Sequence, residues 1–109
     1  MHVKTLSLPR LNQLNPTLES TALKLMEEAG ELAQVIGKFR GLSGESIIMD
    51  ENIVVKEIAR ELLDVAQTAV TMMFVMEEQY GVNIDEMLSE HCEKLETKGY
   101  LSIINNKHI

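Results

Sequence analysis

The sequence has a single cysteine, no tryptophan, two prolines and only 4% aromatic residues in 109 positions. With Cys92 alone, no disulfide can close within the chain, and there is neither a Cys-x-x-Cys pair nor a Cys/His set at zinc spacing. That cysteine usage fits a cytoplasmic protein. Positive charge is also scarce. A formal net charge of −7 argues against a nucleic-acid polymer or an anionic membrane as partner, since both require a basic patch. A phosphorylated ligand would need a cation between itself and this surface. Long apolar runs are missing too: the N-terminus "MHVKTLSLPRLNQLNP" lacks the apolar core of a signal peptide, and Leu62 to Met76 is shorter than a membrane span and interrupted by Asp64.

The residues that remain favour helices. Hydrophobic residues make up 45% of the chain, seven of them Met, and few are of the aromatic kind that fills sheets. We therefore expect an all-α antiparallel bundle in one domain, 1–109, with an N-terminal arm over 1–14, a helical core over 15–98 and a tail over 99–109. Asn15-Pro16 reads as the start of a helix running to about Phe39, an N-cap residue followed by Pro at the first helical position. "RGLSGESIIMD" reads as a loop long enough to act as a lid or partner contact, with Asp50 capping the next helix. That second helix should run from Glu51 to Gln79 or Tyr80, stopped by Gly81; the third should run from Ile84 to Lys98, opened by Asn83 with Glu86 and ended by Gly99. Two long helices and a shorter one leave apolar surface that a single copy does not cover, which points to a homodimer or homotetramer completing a four-helix core.

The acids are placed unusually. On a helical wheel Glu28 falls among Leu25, Leu32, Val35 and Phe39, so it faces inward, and Glu31 lies one turn on at the border of that face. Between Leu62 and Met76 the only polar residues are Asp64, Gln67, Thr68 and Thr71, which form one narrow stripe continuing from Glu61. No Lys or Arg lies between Glu61 and Glu93 to pair with them from nearby in sequence. Burying ionised carboxylates is costly unless they are paired or bind a metal. Glu-x-x-Glu on one helix and Glu-x-x-Asp on the next, packed antiparallel, would set Glu28, Glu31, Glu61 and Asp64 around one cavity, an all-oxygen site of the kind Mg²⁺ or Mn²⁺ prefers. Glu-x-x-Glu recurs at Glu90/Glu93 and Glu93/Glu96, where it marks a solvated face, so spacing alone does not make a site. A di-iron bundle would need Glu-x-x-His, and Leu88 and Asn105 stand three residues before His91 and His108.

"EEAGELAQ" at 27–34 followed by "ARELLDVAQTAV" at 59–70 resembles the EExxE…ExxD signature of the MazG-like, all-α nucleoside triphosphate pyrophosphohydrolases, over about residues 15–100. The resemblance implies a Mg²⁺-dependent enzyme, with Mn²⁺ as a possible substitute, that cuts a nucleoside triphosphate between the α and β phosphates to give a monophosphate and pyrophosphate. It implies that Glu28, Glu31, Glu61 and Asp64 are metal ligands and Glu27 an additional catalytic acid, holding a second metal or orienting water; Glu31 is our candidate to accept the proton of the attacking water because of its position at the border of the apolar face. The family's third helix carries a pattern resembling Asn-x-x-Lys-x-x-x-Arg; here His91, Lys94 and Lys98 stand in it, so His replaces Asn and Lys replaces Arg. Lys94, Lys98 and, at the end of the first helix, Lys38 are the implied phosphate contacts; their alternative roles are ordinary pairing with neighbouring acids and, for Lys38, complementing the helix dipole. Two other functions compete with this one: a non-catalytic helical scaffold that keeps the acids, and a relative acting on a phosphoribosyl nucleotide. Met72, Met73 and Met76 read as core filling.

Overall fold

The computed structural model describes residues 2–41 and 50–101. Helices are the regular structure over these residues, with no strand among them: α1 spans Leu18–Phe39, α2 spans Glu51–Tyr80 and α3 spans Ile84–Thr97. The lid or contact role considered for the segment after Gly41 falls on residues 42–49, and most of the tail on 102–109, both outside the described residues.

The first helix starts later than Asn15-Pro16 predicts. Thr17 is the N-cap: its hydroxyl accepts the Ser20 N–H at 3.0 Å, and the Ser20 hydroxyl accepts the Thr17 N–H at 2.8 Å. This reciprocal capping box satisfies two otherwise orphaned groups, more than an isolated Asn can offer. Pro16 instead turns its carbonyl to α2, where Gln79 Nε2 donates to it at 3.2 Å. The other boundaries agree with the sequence signals. Asp50 accepts the Asn52 N–H at 2.9 Å, Asn83 accepts the Glu86 N–H at 3.0 Å, and Gly81 ends α2 at a φ of 66°, a left-handed turn that glycine adopts without strain.

α1 and α2 pack antiparallel, as successive pairs show: Pro16 meets Gln79, and further along Glu28 meets Glu61. Residues 2–14 form an extended arm held against α2. Arg10 makes a two-pronged ion pair with Glu78 at 2.6 and 2.7 Å, and Gln67 Nε2 donates to the Pro9 carbonyl at 2.9 Å. The pair raises the Arg10 pKa and lowers that of Glu78, chiefly through the hydrogen bonds between them. α3 turns away after Gly81, touching α2 but not α1 among the described residues.

Very little of the apolar surface is covered. Val54 and Val75 are the fully buried hydrophobic residues among those described, while Leu23, Met26, Leu62, Leu63 and Leu88 are each at least half exposed. The radius of gyration is 17.9 Å, against about 13 Å for a compact chain near 100 residues. Among the described residues no helix is long and apolar enough to cross a membrane.

Candidate functional site

Glu28 is the one buried carboxylate of α1, with 7% of its surface exposed, as its place on the apolar face predicts. Across the helix pair it meets Glu61 of α2, and Glu31 stands one turn away at the solvent edge. One oxygen from each of Glu28, Glu31 and Glu61 lies within 4.8 Å of the others. Such crowding is unfavourable for three negative charges without a cation. Burial, followed by the charges of Glu31, Asp64, Glu28 and Glu57, raises the Glu61 pKa above the usual carboxylate value.

Two features make this more than an exposed acidic patch. Glu28 Oε2 and Glu61 Oε2 are buried and have no hydrogen-bond partner among the described residues. Buried acceptors are normally satisfied, because leaving one bare costs its full desolvation. The donor set, carboxylate oxygens alone, is what a hard divalent cation takes. The residues present fit such an ion.

The other predicted residues are distributed unevenly around this centre. Asp64 is exposed, not buried as the greasy surroundings on α2 suggest, because the single chain leaves the flanking Leu62 and Leu63 uncovered as well. Its charge nonetheless reaches Glu61, and it shares a cavity wall with Glu28. Glu27 is exposed and 3.6 Å from Lys24. Lys38 lies two turns beyond Glu31 on α1, while Lys94 sits on α3 and Lys98 caps its C-terminus, on a helix that does not touch α1 among the described residues.

Sequence reasoning missed Lys24 and the cavity. Lys24 Nζ lies 3.0 Å from Glu28 Oε1, and these carboxylates in turn raise its pKa, first by the Glu28 hydrogen bond. The i, i+3 and i, i+4 spacing to Glu27 and Glu28 was the available signal. Beside Lys24 a cavity of about 420 Å³ opens between the arm and the two helices, walled by Leu11, Leu14, Thr21, Glu28, Asp64 and Gln67 among others. All four polar residues of the α2 stripe line it.

A family comparison matches residues 16–99 to the MazG nucleotide pyrophosphohydrolase domain. Neither a curated protein nor a solved structure matches the chain.

Proposed function

Because the chain belongs to the MazG nucleotide pyrophosphohydrolase family, we propose that it hydrolyses nucleoside triphosphates between the α and β phosphates, with Mg²⁺, or Mn²⁺ in its place, held by Glu28, Glu31 and Glu61 and with Asp64 beside them. The observation that carries this reading is that Glu28 and Glu61, two of the three carboxylates that converge from α1 and α2, each bury an oxygen with no hydrogen-bond partner among the described residues. A divalent cation bound there supplies charge neutralisation for the triphosphate and lowers the pKa of an attacking water.

The chain's own groups do the rest. One water is consumed: its oxygen bonds to phosphorus as the bridging P–O bond between the α and β phosphates breaks, one of its protons passes to a carboxylate and the other stays on the new P–O–H, and monophosphate and pyrophosphate leave. Glu31, the exposed member of the three, is accessible to that water and accepts the proton; Glu27, one turn before it, adds charge at the open side. Lys24, whose Nζ lies 3.0 Å from Glu28 Oε1, is the cation beside the acids that would contact a phosphate oxygen. Lys38 is the second cation on the same helix.

Lys94 and Lys98 serve the reading through a second copy. α3 departs from α1 in its own chain, and exposed Leu23, Met26, Leu62 and Leu63 provide the apolar surface on which a partner would pack. Light scattering after size exclusion should give the mass of a dimer or tetramer at micromolar protein; a monomer removes this assignment of the α3 lysines.

The activity itself is tested by incubating the protein with ribo- and deoxyribonucleoside triphosphates, with Mg²⁺ or EDTA, and separating the nucleotides while assaying pyrophosphate. Monophosphate and pyrophosphate in equal amounts, abolished by EDTA, are expected. Diphosphate and phosphate, or no turnover with any of them, would reject the reading in favour of another phosphohydrolase or a scaffold.

A further inference from the structure

The cavity under the arm is continuous with the acid centre at one end only. Glu28 and Asp64 stand at that end, and Thr21 and Thr71 stand seven residues further along α1 and α2, so the cavity runs about 10 Å along the helices. Its volume, about 420 Å³, lies at the small end of ligand sites, with room for a base and its sugar laid end to end.

Several of its polar groups are already committed. Thr21 Oγ1 donates to the Thr17 carbonyl at 2.8 Å, and Thr68 Oγ1 donates to the Asp64 carbonyl at 2.9 Å, so neither hydroxyl has a proton left for a ligand. Gln67 is fixed by the arm. The Pro9 carbonyl can only accept, so the amide must present Nε2 to it, and the same nitrogen reaches Thr71 Oγ1 at 3.3 Å. Oε1 is left as an acceptor with no donor among the described residues, and the Asn15 amide, just after the arm, has no protein partner there either. Leu11, Leu14 and Pro16 supply the apolar wall.

We propose that this cavity holds the nucleoside of the substrate, with the base against Leu11, Leu14 and Pro16, an N–H of its edge donated to Gln67 Oε1, and the triphosphate leading past Lys24 to the acids. The inference rests on the hydrolase reading and adds to it that the N-terminal arm is part of the substrate site. The occupant is a nucleoside triphosphate whose base carries an N–H donor; recognition is by apolar contact and amide hydrogen bonding, since none of the described residues lining this cavity is aromatic, Phe74 lying in the adjoining cleft that shares Leu11, Leu14 and Pro16.

The test compares the full chain with the double variant Leu11→Ser, Leu14→Ser, whose changes lie outside every helix. Binding of α,β-methylene nucleoside triphosphates carrying each of the common bases, and of inorganic tripolyphosphate, is measured by calorimetry in Mg²⁺. The variant should lose at least tenfold in affinity for the preferred nucleotide analogue and keep its affinity for tripolyphosphate. In the unchanged chain, the Leu11 and Leu14 methyl resonances should shift with the analogue and not with tripolyphosphate. Equal affinity of chain and variant for the analogue, or equal loss for both ligands, overturns the cavity assignment alone. Failure of the unchanged chain to bind any of these triphosphates overturns the hydrolase reading beneath it.

Discussion

Glu28→Gln should lower turnover of the preferred nucleotide by at least a hundredfold while the protein still folds. The substitution keeps the side chain's shape and removes its charge, so the loss is that of the innermost ligand and not of packing. Gln offers one neutral oxygen where Glu28 has one oxygen paired to Lys24 and one buried and bare. A hard cation binds a neutral amide oxygen far less well than a carboxylate. Removing a group that stabilises developing charge in a site of this kind costs on the order of 10²–10³ in kcat. The decisive control is Mn²⁺ binding, followed by calorimetry or water-proton relaxation: affinity should fall together with turnover, while circular dichroism stays that of the unchanged chain. A variant with full turnover and full Mn²⁺ affinity would show that the acid centre is not the metal site.

Glu61→Gln should make the metal-free protein more heat-stable at neutral pH. Burial and four neighbouring carboxylates raise the Glu61 pKa in the fold. A carboxyl with a raised folded-state pKa binds its proton more tightly folded than unfolded. It therefore costs nothing below the unfolded value near 4.3, and its cost grows as pH rises through the folded value. In EDTA, the variant's advantage in melting temperature should be present at pH 7.5 and vanish as pH falls towards 4. Glu78, lowered by Arg10, contributes with the opposite sign, but equally in both proteins, so the difference between them isolates Glu61. Divalent metal should reverse the order. At a hundred times its dissociation constant a ligand of the native state adds about 2.7 kcal/mol, on the order of 10 °C for a chain of this size. The unchanged chain gains this stability and the variant gains little, at matched protomer concentration. An identical pH profile for the two proteins in EDTA would mean that Glu61 is solvated like any surface acid.

The helices were legible because their ends are written in local chemistry. Asp50, Gly81 and Asn83 act within four residues of themselves, and the structure uses each as its type demands. Asn15-Pro16 misled by two residues because a competing local pair, Thr17 with Ser20, closes a better cap. Glu28 was legible for a related reason: a helix repeats every 3.6 residues, so its facing is set by its neighbours, and burial to 7% agrees. The exposure of Asp64 was not legible, because it depends on what lies beyond the surface of α2. Nor was the cavity, since the arm has no periodicity and its attachments link positions 58 to 68 residues apart. The position of α3 is likewise a matter of how the chain leaves Gly81, which the basic residues on that helix do not encode.

Those distant attachments also set an order of events in folding. The capping box closes between residues three apart, whereas Arg10 and Glu78 stand 68 residues apart. Contacts of large sequence separation form late, because the chain entropy lost in closing the loop is recovered only when the target surface already exists. Residues 2–14 are held to α2 through surface bonds of the kind that open at little free energy. Hydrogen exchange should therefore find the amides of the wall formed by Leu11 and Leu14 exchanging before those of α1 and α2 around the carboxylates.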